Sequence, residues 1–328
     1  MLWDLLVQLG VIAYTVVLPL LLMIGIGYVV QRALGLEMAT LTRLNFYLVV
    51  PGMVYFVLVD SDVAWGDIGT VVGFSLLAMI VWTGMTLLVA RLRGVERDQR
   101  RAMLMSVIFY NAGNYGLPLQ ELAFRPVGRS ELAMGLQVFV MLVQNLTSFT
   151  IGILLAAGRS GDGMWKRNLV QILKFPPIYA VAAAGLTIAV RHLLGDRSDD
   201  VANALEPFWD TVLYVKDGFV VIALATLGAQ LANVTRGQVY YPVTTTVVLR
   251  LLAAPLVGFV LIWLMGIEGL TAQVLLISTA TPTSVNCLLL CLQFKNHPDY
   301  VARSVFYSTV LSPVTVTLVI LLARGGVV

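Results

Sequence analysis

The sequence predicts an all-α polytopic membrane protein of about ten transmembrane helices, and three observations lead there. Of 328 residues, 59% are hydrophobic and 12% charged, whereas a soluble domain carries about 25% charged residues. Apolar stretches long enough to cross a bilayer recur from one end of the chain to the other. Two of them are interrupted near mid-length, by Asn111-Ala112-Gly113-Asn114-Tyr115-Gly116-Leu117-Pro118 and by Thr281-Pro282-Thr283-Ser284-Val285-Asn286. A β-barrel would show short segments of alternating polarity, which this chain lacks.

In order, the spans fall at roughly 8–30, 41–59, 66–90, 102–124, 131–157, 176–194, 212–232, 240–265, 270–294 and 300–323. The first reads as a span and not as a cleaved signal, because it lacks a basic leading region and its apolar part is too long. The longest polar connections, 91–101, 158–174 and 195–210, are too short for a soluble domain. Segment 158–175, rich in Gly and basic residues, reads as a cytoplasmic connector. It would join a first five-helix repeat, 1–157, to a second, 176–328. Five is odd, so the second repeat would enter the membrane inverted, and the fourth and ninth spans, both broken, would correspond. The repeat rests on span count and break position, because internal residue identity is weak.

Lys and Arg set the orientation. The loops after spans one, three, five, seven and nine hold fourteen: Arg32, Arg43, Arg91, Arg93, Arg97, Arg100, Arg101, Arg159, Lys166, Arg167, Lys174, Arg236, Lys295 and Arg303. The other side holds five: Arg125, Arg129, Arg191, Arg197 and Arg324. The rich side is expected in the cytoplasm. Both termini then lie outside, together with the acidic loop 60–67.

Asn, Gly and Pro at bilayer depth leave backbone groups unpaired. Such backbone survives only where it is buried in protein or lines a wet cavity. Two interrupted spans in matching places point to a transporter binding site. In the ninth span Thr281 is a suitable N-cap and Pro282 a suitable first helical residue. In the fourth, Pro118 can restart a helix after Gly113–Gly116. Each restarted helix would present free N–H groups and about half a positive charge. Two such ends make an anion site without a charged side chain. Asn111, Asn114 and Asn286 add amides, and Thr281, Thr283 and Ser284 add hydroxyls. The alternative is a pair of proline kinks in packed helices.

Other polar residues inside spans have two readings each. Arg250, about ten residues into the eighth span, is either a counter-charge for a substrate or a structural or snorkelling group. Lys216 and Asp217 open the seventh span and, as neighbours on a helix, are expected to find different partners. Gln144, Asn145, Thr147 and Ser148 in the fifth span could line a cavity or bond between helices. The same holds for Tyr307, Ser308 and Ser312 in the tenth and for Asn45 and Tyr47 in the second. Cys287 and Cys291 are spaced as helix-packing residues, and His192 and His297 sit at span ends, so no metal or haem constellation is expected. The net charge of +3 reflects loop arginines and gives no argument for nucleic acid.

The motif NAGNYGLPL in the fourth span, with LATLGAQLA (224–232), RLLAAPL (250–256), ATPTSVN (280–286) and NHPDYVARSVFYSTVLSPVT (296–315), resembles the auxin efflux carrier family. That family includes the plant PIN auxin transporters and bacterial carriers of malonate and similar acids. The resemblance covers nearly the whole chain in order. It implies the inverted-repeat fold shared with bile-acid sodium symporters, crossed broken helices four and nine, an elevator-type movement and a homodimer. In the plant proteins an Asn seven residues before the crossover proline helps bind the substrate carboxylate, and Asn111 holds that place before Pro118. The long cytoplasmic loop of the plant proteins is absent.

The expected function is therefore secondary transport of small organic anions, auxin-like or malonate-like acids among them, in the plasma membrane. The expected binding residues are Asn111, Gly113, Asn114, Gly116, Pro118, Thr281, Pro282, Thr283, Ser284 and Asn286. Gln144, Asn145, Ser148, Tyr307, Ser308 and Arg250 are candidate cavity residues. A ligand sensor or channel using the same cavity is the alternative. An enzyme is not expected, because no nucleophile–base pair or metal cluster sits at matched depth. No cofactor is expected, and nothing in the sequence demands sodium or proton coupling.

Overall fold

The computed structural model describes residues 2–61, 63–158, 173, 175–195, 205–234 and 241–325. The expected connector, except residues 158, 173 and 175, lies outside the described residues, as do Asp62, Arg197, Arg236 and Tyr240. Among the described residues the regular structure is entirely helical. Eight helices are long and apolar enough to cross a membrane: α1 Trp3–Leu34, α2 Met38–Asp60, α3 Trp65–Leu92, α5 Ser130–Ala157, α6 Pro176–Leu194, α7 Glu206–Ala232, α8 Pro242–Leu264 and α10 Pro298–Arg324. The fourth and ninth spans are each split in two. These are α4a Arg97–Ile108 with α4b Leu117–Phe124, and α9a Gly269–Thr279 with α9b Val285–Phe294.

Prolines shape these helices in a regular way. Pro19, Pro51, Pro118 and Pro255 each follow a wide, π-type turn, at 13–17, 45–49, 112–116 and 249–253. A proline ring collides with the carbonyl one turn earlier and offers no N–H to it. Widening that turn by one residue relieves the collision without ending the helix. Pro207 acts differently. It occupies the first turn of α7, where a missing N–H costs nothing, and starts the helix at Glu206. The expected opening of this span near residue 212 is corrected by that earlier start. Lys216 and Asp217 consequently lie about three turns inside α7 instead of at its beginning.

The helices pack as two groups. One is a panel of α1, α2, α6 and α7, held by α1 against α7 and by α2 against α6 and α7. The other gathers α3, both halves of the fourth and ninth spans, α5, α8 and α10. The panel meets the second group along α7, which runs past the wide turn 112–116 and α4b, along α1, which packs on α10 and α4b, and where α2 packs on α5. Within the panel, α1 and α7 approach until backbone meets backbone. A Cβ on Gly228 would stand 1.9 Å from the Ile24 carbonyl oxygen, and one on Gly27 would stand 2.1 Å from that of Ala225. In lipid, where apolar side chains gain nothing by leaving the solvent, such close approach is what holds helices together.

Gly228→Leu is expected to force α1 and α7 apart and to destabilise the protein by about 1–3 kcal/mol, as overpacking does. Thermal melting of the purified protein in detergent reads this, and an unchanged melting temperature would contradict the packing.

Candidate functional site

The two breaks lie against each other and repair each other. After Ile108 the chain becomes extended at Phe109 and runs antiparallel to the segment around Thr283, with Tyr110 opposite Thr283. The Asn111 N–H donates to the Pro282 carbonyl at 2.8 Å, and the Ser284 N–H donates to the Phe109 carbonyl at 3.0 Å. Side chains satisfy the rest. Gln144 Oε1 accepts from the Tyr110 N–H at 3.3 Å. Ser308 Oγ accepts from the Thr283 N–H at 3.1 Å, and Thr283 Oγ donates to the Ser106 carbonyl at 2.7 Å. Each break exposes polar backbone that lipid could not satisfy, and the other break supplies much of what is needed.

Helix resumes on both strands just past this pairing. In the fourth span the wide turn 112–116 begins directly after Asn111, whose carbonyl accepts from the Gly116 N–H at 2.9 Å. Pro118 sits in the first turn of α4b beyond it. In the ninth span the helix starts three residues later than expected. Ser284, in the extended region, is the N-cap of α9b, and its Oγ accepts from the Asn286 N–H at 3.2 Å. Thr281 and Pro282 remain in the linker, because the Pro282 carbonyl is committed to Asn111 and Thr281 Oγ donates back to the Ser278 carbonyl at 2.8 Å. The capping role read for Thr281 and Pro282 is thereby corrected to Ser284 and Val285.

Both helix starts border one narrow cleft with a free volume of about 40 Å³. Its lining comes from Phe109–Asn114, from Ser284, Val285, Asn286 and Leu289, and from Met141, Gln144, Asn145 and Ser148 of α5. Thr42, Phe46 and Val50 of α2 and Gln230 of α7 face it from the panel. No lining residue is charged. Those on α2 run from its second turn to its middle and Gln230 lies near the end of α7, so the cleft runs toward the helix ends that join the arginine-rich loops.

Buried polar atoms are left over beside this cleft. Gln144 Nε2, Ser148 Oγ and Gln230 Oε1 have no hydrogen-bond partner among the described residues. Buried polar groups are nearly always paired, and a cluster of orphans marks a place for water or ligand. The Asn111 side chain also forms no hydrogen bond among the described residues. Its neighbours are tied down: Asn114 Oδ1 accepts from Asn45 Nδ2 at 3.0 Å, and Asn286 Nδ2 donates to Asn145 Oδ1 at 3.1 Å.

The structure thus brings Asn111, Gly113, Asn114, Ser284, Asn286, Gln144, Asn145 and Ser148 to one cleft. It places the other sequence candidates elsewhere. Gly116 packs against Gln137, whose Nε2 would lie 2.5 Å from a Cβ there. Pro118, Thr281, Pro282, Thr283 and Ser308 are buried in or behind the crossover. Tyr307 packs on Phe306, ring to ring at 5.4 Å, and Tyr47 is 66% exposed. Arg250 is fully buried outside the cleft lining. Its Nη1 donates to the Val107 carbonyl at 2.8 Å and its Nη2 to that of Thr279. The guanidinium lies over the faces of Trp82 and Tyr110, two rings in edge-on contact with each other, each centroid 4.8 Å away. The snorkelling and ion-pair readings of Arg250 are corrected by this burial among carbonyls and rings, since no carboxylate pairs with it among the described residues.

Sequence reasoning passed over Gln230, Thr42 and Phe46. Gln230 was detectable as the polar side chain late in the apolar run 224–232. Thr42 and Phe46 carried no signal, because one amphipathic turn looks like any other. At the opposite end, Lys216 Nζ of the panel lies 3.5 Å from Glu131 of α5 and 3.6 Å from Asp217. The long lysine stem reaches both, so the expectation of separate partners for these two neighbours is corrected. Nearby, Arg125 closes on Glu121 at 2.7 Å.

Crossed broken helices beside a polar cleft, inside a bundle of membrane-length helices, mark a polytopic membrane protein. A family model described as membrane transport protein matches residues 164–320. An uncharacterized transporter of Methanothermobacter thermautotrophicus is 24% identical over 309 residues, covering 92% of this chain and 95% of its own. The chain is a membrane transport protein, and the resemblance to the auxin efflux carrier family read from its motifs is borne out.

Ser284→Ala is expected to cost about 1 kcal/mol through loss of the α9b cap, seen as a lower melting temperature, while Thr281→Ala leaves that cap intact. An unchanged melting temperature in Ser284→Ala would contradict the assignment of the cap.

Proposed function

We propose that this chain is a secondary transporter of small organic anions, bound through a carboxylate at the crossover. One observation carries the reading: the starts of two helices and the unbonded Asn111 amide border the same uncharged cleft. Helix starts attract anions through free N–H groups and aligned dipoles. Asn111, Asn114, Ser284 and Asn286 would supply directed contacts, and Phe46, Phe109, Tyr110 and Leu289 an apolar bed for the rest of the molecule. With the arginine-rich loops in the cytoplasm, both termini lie outside and the cleft faces inward. Transport would carry the second helix group, crossover included, past the panel in an elevator-type movement. The two-group packing supports this, and so does the ion pair from Lys216 to Glu131, which would close the outer side. Each proposed five-helix repeat, 1–157 and 176–328, contributes two spans to the panel and three to the moving group. Support for a homodimer comes from the family resemblance. No cofactor is invoked beyond a sodium or proton gradient as energy source.

The test is counterflow in proteoliposomes preloaded with unlabelled organic acids, malonate and indole-3-acetate among them, with and without ion gradients. Saturable exchange of the labelled acid is expected. Removal of one hydrogen bond to a charged group costs about 1.5–3 kcal/mol, so Asn111→Ala should raise KM about tenfold or more. Passive current without saturation would identify a channel and overturn the reading, and an unchanged KM in Asn111→Ala would remove that residue from the site.

A further inference from the structure

We propose that Arg250 is the positioning residue that charges the anion site, although it does not line the cleft. The inference rests on the anion-carrier reading above and adds the source of its charge selectivity.

Two halves of the broken helices, α4a and α9a, end at the crossover. The last turns of α4a and α9a leave carbonyls without intrahelical partners, and each helix end carries about half a negative charge. Both ends lie in the middle of the protein, with Ile108 and Thr279 buried. Arg250 reaches both: one guanidinium nitrogen takes the Val107 carbonyl at the end of α4a, and the other takes the Thr279 carbonyl at the end of α9a. Arginine stays protonated in proteins, and Arg250 lies over the faces of the adjacent Trp82 and Tyr110 rings, an environment in which an arginine cation is held. Two half-charges and one full charge cancel. The two helix starts on the cleft side then stand uncancelled, and together they present about one positive charge to the cleft. Tyr110 lines the cleft and also covers the guanidinium, so one aromatic ring separates the cation from the ligand space.

Without Arg250, the negative ends of α4a and α9a would oppose the positive starts of α4b and α9b across the crossover, and an anion would feel little attraction. A unit charge about 10 Å away, at an effective dielectric constant of about 20, alters anion affinity about tenfold. A neutral ligand of the same shape should feel nothing. This separates a charging role from a merely structural one, which would affect both ligands alike.

The experiment compares indole-3-acetate with its neutral amide, and malonate with malonamide, as competitors of labelled acid in counterflow. Wild type, Arg250→Lys, Arg250→Gln and Arg250→Met are measured after each has been checked for monodispersity and melting temperature. The Gln and Met variants are expected to raise the KM for the acid about tenfold while leaving inhibition by the amide unchanged. Arg250→Lys restores acid recognition at a lower rate, since an ammonium is a point charge that cannot bridge both carbonyls at once. If the neutral variants do not fold but the Lys variant folds and exchanges acid, the need of the two helix ends for a cation is upheld. A folded Gln or Met variant that keeps wild-type discrimination between acid and amide overturns the proposal, and so does a folded Lys variant that has lost it. If the wild type exchanges neither acid, the anion-carrier reading fails first, and that result is distinct from a failure at Arg250.

Discussion

Everything about this molecule's middle follows from one requirement: polar backbone at bilayer depth must find partners in the protein. A single broken helix could not meet it. Two broken helices laid antiparallel can, because Asn111 and Phe109 pair with Pro282 and Ser284. Gln144, Ser308 and Arg250 complete the pairing from α5, α10 and α8. The breaks are therefore a shared structure, and neither would be stable without the other. What looks like a defect in each span is a short piece of paired extended chain, with helix entering on one side and leaving on the other.

That arrangement sorts the polar groups by direction. Helix ends, with their negative character, turn to Arg250; helix starts, with their positive character, turn to the cleft. The cleft then needs no lysine or arginine of its own, and the charge of Arg250 behind it is met by the two helix ends. The two helix groups meet at this same place, so a ligand bound at the crossover touches both the panel, through Phe46 and Gln230, and the group that carries the crossover. A ligand in contact with two bodies can bias their relative position, which is the physical requirement for coupling binding to movement.

Much of this was legible in the sequence. Span number, the two breaks and the asparagines were readable because Asn, Gly and Pro are costly in lipid and stand out against an apolar background. Helix bounds were less legible. Pro207 starts α7 early, and a sequence window centred on hydropathy discounts the polar first turn containing Glu206 and Asp210. The N-cap was misplaced because Thr281 and Ser284 are equally good caps by residue type. Only the bond from Asn111 to the Pro282 carbonyl, formed across 171 residues of chain, decides between them. For Arg250 the sequence left its role open between function and structure. Its partners are backbone carbonyls and rings from three other spans, contacts that leave no trace in residue spacing.

The central claim is that the paired breaks line a wet, ligand-accessible cleft, and cysteine labelling tests it most directly. Both native cysteines are fully buried, at 0% exposure, so a cysteine placed at Asn114 reports alone. The account predicts that Asn114→Cys reacts with a membrane-impermeant maleimide from the arginine-rich face, that wild type does not, and that transported acid slows the reaction. Failure to label from either face in folded protein would contradict it, because the crossover would then be a sealed packing device and not a site.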